Sequence, residues 1–196
     1  PSAETEQVLA GLRQSGVEVV VARGDVANAA DVERIVAEIT APLIGVVHSA
    51  GVLADAALGR LDAEAFRKVF ASKVHGTWNL HQATADRSVR FFVLFAAGAG
   101  LLGSPGQGNY AAANAFQDHF ARWRRAQGLP AVAIDWGAWA EVGMAARTGG
   151  LAARQAEEGI HPIPLRAGMD AMGRLLGHPV AQVAVLNVEW DRFVAT

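Results

Sequence analysis

The one tyrosine of this 196-residue chain, Tyr110, stands in GSPGQGNYAAANAF (103–116), between a glycine-rich loop and an alanine-rich run with helical spacing. Asn114 follows four residues later, so the two share a helix face. A phenol with an ordinary pKa of roughly 10 does little acid–base chemistry at neutral pH unless a nearby ammonium stabilises the phenolate. Lys73, in ASKVHGTWNL, is a candidate for that ammonium. Spacing alone favours a plainer reading, a lysine snorkelling from an amphipathic helix. Tyr110 is therefore either a catalytic acid at a loop-to-helix junction or a packed aromatic.

Other patterns carry less chemistry. GAGLLG (98–103) matches G-x-G-x-x-G after a strand, but Pro105, Gly106 and Gly108 delay the helix that should face a pyrophosphate. There is no GKS or GKT, and no G-x-S-x-G. The chain has no cysteine, which removes thiol nucleophiles, disulfides and thiolate metal sites. Its six histidines form no HExxH or close pair, so no metal is expected, and His48 reads as packing at a strand end. The two tryptophans of WGAW (136–139) read as core or lid, and RWRR (122–125) as a solvated helix face.

These residues need elements to position them, and hydrophobic periodicity supplies the elements. Helices are expected at 3–15, 28–39, 62–84, 107–127, 151–158 and 165–176, the third starting at Asp62. Apolar, β-branched strands are expected at 17–22 (VEVVVA), 42–51, 89–97, 129–137 and 180–188. Alternating strands and helices with short connections imply one α/β domain, a Rossmann-like doubly wound parallel sheet covered on both faces. Ligands then sit beyond the carboxyl ends of the strands. A net charge of only −2 argues against nucleic acid or a charged membrane surface as a partner. No apolar run approaches the roughly 18 to 20 residues of a membrane span, and PSAETEQVLAGLRQSG has no signal-peptide pattern, so a cytoplasmic setting is expected.

Six stretches in register carry a resemblance that covers essentially the whole chain. They are GDV (24–26), GVVHSAGVLAD (45–55), KVHGTWNL (73–80), FVLFAAGAGLLGSPGQGNYAAANAF (92–116), AIDWGAWAEVGM (133–144) and GIHPIPLRAGMDAM with VAVLNVEWDRF near the end. Together they resemble the ketoreductase domain of type I polyketide synthases, within the short-chain dehydrogenase/reductase superfamily. The resemblance implies NADPH-dependent reduction of a β-ketoacyl thioester, carried on the phosphopantetheine arm of an acyl carrier protein among other synthase domains. It makes Tyr110 the general acid, has Lys73 lower its pKa and hold the nicotinamide ribose, and gives Asn114 the proton relay. It puts Asp25 and Val26 at the adenine and Ser49, Ala50 and Gly51 along the cofactor cleft. The stretch from Trp136 and Gly137 to Met144 would cover the nicotinamide and substrate. Leu53, Ala54 and Asp55 resemble the LDD signature of reductases giving the B-type alcohol, and Leu102 replaces the tryptophan of A-type enzymes.

Two departures from the family pattern matter. Thirteen residues before the tyrosine the family has a serine that hydrogen-bonds the substrate carbonyl, and here that residue is Ala97. Losing one such donor costs on the order of 10² to 10³ in rate. A slow reductase and a redox-silent scaffold domain are thus both consistent with the sequence. The family also has a strand, a glycine-rich pyrophosphate loop, a helix and a further strand ahead of the segment resembling residue 1. The expectation is that these 196 residues are the catalytic half of the fold, that the segment bearing that loop lies elsewhere, and that the sheet has an exposed apolar edge.

Overall fold

The computed structural model describes residues 3–144 and 156–195. Its main sheet has four parallel strands, β1 (Gly45–His48), β2 (Phe91–Ala97), β3 (Val132–Trp136) and β5 (Gln182–Val185), in the order β1-β2-β3-β5. Parallel strands require crossovers, and helices provide them. Between β1 and β2 run α3 (Ala63–Phe70), a π-helical turn (Ala71–His75) and α4 (Gly76–Ala83), and between β2 and β3 runs α6 (Gly108–Ala126). A second, antiparallel pair joins β4 (Ile160–His161) to β6 (Asn187–Val188), so the one last strand expected over 180–188 is divided between β5 and β6.

β2 is an uninterrupted apolar run because both faces of the sheet are covered. Its alternate side chains go to opposite sides. Phe92, Leu94 and Ala96 pack with Phe120 and Ala121 of α6, while Val93 joins Ile134 and Trp136 against the helix Leu165–Leu175. Near the start of the chain, α1 (Ala3–Gln14) ends before Gly16, whose φ of 85° suits glycine. α2 (Ala29–Ala37) is capped by the Asn28 side chain, which accepts from Ala30 N at 3.0 Å. Asp62 caps α3 in the same way, accepting from Ala65 N at 2.8 Å, so this helix starts where expected.

Three expectations need correction. VEVVVA (17–22) is not a strand, and Val17, Val20 and Val21 are exposed. β-branched composition describes a good pleated surface, and a strand forms only where a neighbour completes its hydrogen-bond ladder. The expected helix over 62–84 is interrupted by the π turn. The third concerns RWRR: Arg124 is buried, its Nε donates to Pro130 O at 3.0 Å and its guanidinium lies 4.3 Å from the centre of the Phe92 ring. Most of the helix expected over 151–158 lies outside the described residues.

Candidate active site

The carboxyl ends of the parallel strands open into a cavity of about 820 Å³. Tyr110 reaches it from the first turn of α6. The buried Asn109 fixes that turn: its Oδ1 accepts from Tyr110 N at 2.8 Å, and its Nδ2 donates to Ala54 O and Ala65 O at 2.9 and 3.1 Å. Tyr110 packs with Val69 and Ala113, and with the partly buried Leu53, Ala97 and Met144. Burial raises the phenol pKa, the Asn114 side chain opposes this, and the Asp55 carboxylate adds to it. The phenol thus holds its proton at neutral pH, the form a general acid needs.

Lys73 lies on the π turn and is 2% exposed, which overturns the snorkelling reading. Val69, Lys73 and Thr77 are spaced by four along one buried stripe, so the lysine points inward with its apolar neighbours. Its Nζ donates to Phe95 O at 2.7 Å and to Gln117 Oε1 at 3.1 Å, and lies 5.4 Å from the centre of the Tyr110 ring. Burial pulls its pKa down to about 8, against the pull of Asp118 and Asp135. The expected depression of the phenol is not seen, because burial dominates Tyr110 and the lysine's hydrogen bonds go to Phe95 and Gln117.

Of the remaining candidate residues, Ser49, Gly51, Leu53, Ala97, Leu102, Trp136, Gly137 and Met144 all line the cavity. Ala97 ends β2 beside Trp136, with a methyl where the family pattern has a serine hydroxyl. Asn114 is fully buried one turn behind Tyr110, donating from Nδ2 to Tyr110 O at 2.7 Å, and its Oδ1 has no partner among the described residues. Asp25, Val26 and Ala50 are not part of the cavity wall. Val26 packs on Gly76, where a Cβ would come within 2.9 Å of it, and its carbonyl accepts from Asn79 Nδ2 at 3.0 Å. Asp25 Oδ1 accepts from Ala27 N at 2.9 Å. Asp55 is exposed, and its Oδ2 accepts from Gln107 Nε2 at 2.9 Å.

The WGAW rings form one wall of the cavity, with Trp136 and Trp139 4.7 Å apart and Phe95 5.5 Å from Trp136. Gly98 to Gly103 holds the short helix α5 (Ala99–Leu102), and a Cβ at Gly100 would lie 3.0 Å from Asn114 Cβ. Gly100 thus serves helix packing, and Gly103 takes a φ of 79° that suits glycine, so both have structural roles without a phosphate. The sequence reading missed Asn109, Gln107, Gln117, Asp118 and Asp135. A signal existed for some of them: Asn114, Gln117 and Asp118 put polar groups at helical spacing on the stripe of α6 that also holds Ala113, Phe120 and Ala121.

The residues present fit the nicotinamide–ribose end of a dinucleotide. Gly51 leaves open the floor beside Lys73, where a Cβ would lie 3.3 Å from Lys73 Cε, and the buried Nε1 of Trp136, on the cavity wall, has no partner among the described residues. Among the described residues, no group of three His, Asp or Glu side chains is placed to hold a metal ion.

A parallel α/β sheet with tyrosine, lysine and asparagine gathered at its carboxyl end defines a reductase-like α/β fold. The sequence profile of the KR domain matches residues 1–141, and the chain belongs to this oxidoreductase family. It is 45% identical over 146 residues to the phthioceranic/hydroxyphthioceranic acid synthase of Mycobacterium tuberculosis (strain ATCC 25618 / H37Rv), covering 73% of this chain and 7% of that protein. It is also 45% identical, over 148 residues, to the mycocerosic acid synthase-like polyketide synthase of the same strain, covering 74% and 7%. The chain thus spans a small part of these relatives. Among solved structures, an A-type ketoreductase from a modular polyketide synthase superposes with a TM-score of 0.93 at 35% identity, over 98% of this chain and 40% of that one. The first ketoreductase of the tylosin synthase gives 0.89 at 38% identity, over 97% and 41%.

Proposed function

We propose that this chain is the catalytic part of a ketoreductase that reduces a β-ketoacyl thioester on an acyl carrier protein, with NADPH, inside a cytoplasmic polyketide synthase. The observation that carries the reading is the buried Tyr110 ring beside the buried Lys73 at a mostly apolar cavity. NADPH, when bound, supplies the hydride. Tyr110 donates its proton to the substrate carbonyl oxygen as charge develops there. Lys73, held in place by Phe95 O and Gln117, sets a positive charge beside the phenol ring and is available to the nicotinamide ribose. Asn114 sits one turn behind and is assigned a place in the relay by which a proton from solvent restores the Tyr110 phenol. Leu53, Asp55 and Leu102 support B-type stereochemistry. The overall superposition does not choose, since both A-type and C2-type ketoreductases share the fold.

A second reading, a redox-silent scaffold domain, is favoured by one observation, the methyl of Ala97 at the cavity end of β2. Ala97→Ser in the intact synthase separates the two, read as NADPH consumption with a β-ketoacyl thioester or a small ketone. Turnover in the parent that rises by about 10-fold or more in the variant supports a reductase lacking one donor. Silence in both, with no NADPH binding, supports the scaffold.

A further inference from the structure

Behind Lys73, on the side away from the cavity, lie two carboxyls that the proposed reaction does not use. Asp118, on α6, is 3% exposed, and Asp135, on β3, is fully buried. They come from elements that meet beneath the lysine. Gln117, next to Asp118, accepts from Lys73 Nζ, and Asp135 pairs in register with Ala96, the residue after the carbonyl that Lys73 also holds. The surrounding polar groups are matched. Gln117 Nε2 donates to Thr77 Oγ1 at 3.1 Å, and Thr77 Oγ1 donates to Lys73 O. On the outer side Gln182 Nε2 donates to Asp135 Oδ2 at 2.8 Å, while Arg122 holds the Gln182 amide oxygen. Among the described residues, Asp118 Oδ1 and Asp135 Oδ1 receive no N–H or O–H from any other group.

A buried ammonium bonded only to a carbonyl and an amide has its hydrogen bonds but no counter-charge, and burying such a charge unpaired is expensive. Two adjoining carboxylates have the opposite fault. Both cannot ionise without strong repulsion. One proton between them removes that repulsion, satisfies the two orphan oxygens and leaves one negative charge to balance one ammonium. We propose that Asp118 and Asp135 share a proton and act as a single-charge counter-ion that keeps Lys73 protonated. They are positioning residues acting through the lysine. Electrostatics agrees with the geometry: burial raises both carboxyl pKa values, each carboxyl senses the other, and both hold the lysine up against its own burial. The charged groups acting on the pair are Lys73 from the π turn and Arg122 from α6, and both favour ionisation. Lys73 in turn lowers the pKa of His48, on β1.

Relevance to catalysis rests on the reductase reading, but the charge arrangement does not, so its test reads the lysine directly. Lys68 and Lys73 are the two lysines of the chain, and Lys68 is exposed, so ¹³C-lysine NMR titration with Lys68→Arg for assignment follows one buried ammonium. Asp118→Asn and Asp135→Asn each leave one carboxylate, and the Lys73 midpoint should move by less than about half a unit. The double variant leaves none, and the midpoint should fall by about one unit or more. An unmoved midpoint in the double variant overturns the counter-ion role, as does a single variant that already shows the full fall. If the double variant does not fold, infrared spectroscopy decides. At about pH 6, above the ordinary carboxyl range, the parent should show a protonated-carboxyl band that both single variants lack. A parent without the band, or a band retained in both single variants, overturns the shared proton.

Discussion

The bare α-carbon of Gly100 rests on Asn114: a Cβ there would lie 3.0 Å from Asn114 Cβ and 3.1 Å from the Ala115 nitrogen. The contact locks α5, which follows β2, onto the helix that presents Tyr110. Gly100 does not have a positive φ, so space alone forbids a side chain. Gly100→Ala should cost about 1–3 kcal/mol by overpacking, seen as a lower denaturant midpoint. The push falls on Asn114, so turnover should fall as well. An unchanged midpoint would mean that α5 moves freely away from α6.

Tyr110→Phe removes the oxygen and keeps the ring. The ring packs with Val69 and Ala113, so stability should stay within about 1 kcal/mol of the parent. NADPH-dependent turnover should drop by roughly 10² to 10⁴, the range for losing a positioned acid. Stopped-flow measurement at 340 nm with a ketone substrate gives the rate, and thermal unfolding gives the stability. Retained turnover would remove Tyr110 from the acid role.

Gln107 is nearly fully buried, and its amide holds the exposed Asp55 at 2.9 Å while Ala56 N donates to Gly106 O at 2.9 Å. These two bonds tie the loop before Tyr110 to the segment that carries Leu53 and Asp55. Gln107→Leu releases the carboxylate to water at a stability cost of about 1 kcal/mol. If Asp55 directs the substrate, the share of the minor β-hydroxy enantiomer should rise several-fold while kcat/KM changes by less than about 10-fold, a difference of roughly 1.4 kcal/mol. Chiral chromatography of the product measures this. An unchanged enantiomer ratio would deny Asp55 a steering role.

What the sequence disclosed follows from the range of each interaction. The spacing of Val69, Lys73 and Thr77 is local and placed the lysine on a stripe, but its depth depends on Phe95 and Gln117, 22 and 44 residues away. The pairing of Asp118 with Asp135 joins a helix to a strand and leaves no periodic trace. Arg124 was misread for a related reason. Three basic residues within four positions suggest a wet surface, and only the fold brings the Phe92 ring and Pro130 O to the middle one. The over-reading of VEVVVA is the reverse case, a strong local preference with no ladder partner among the described residues. The places of Tyr110 and Asn114 in the first two turns of α6, and of Ala97 at the end of β2, were legible because both elements are long and regular, with bounds that composition marks well.

His48, last residue of β1, is buried with its Nε2 3.1 Å from Ser72 O, and burial, then the charge of Lys73, brings its pKa down to about 4. In the unfolded chain it titrates near the ordinary value of roughly 6.5. Between these two values the unfolded state binds the proton that the native state refuses, so stability from this group is present above about 6.5 and is lost as pH falls toward 4. Asp118 and Asp135 work in the opposite sense, because the native state keeps a proton there that the unfolded chain releases, and their contribution fades as pH rises from about 4. The parent's net acid response therefore mixes the two, and a difference between variants isolates one. His48→Gln, with no titrating group and an amide able to donate to Ser72 O, should gain about 2–3 kcal/mol on the parent as pH drops from about 7 to 4, the linkage value of a shift of this size. Urea unfolding at several pH values measures the difference. A parent–variant gap that stays constant with pH would show that His48 titrates normally in the native state.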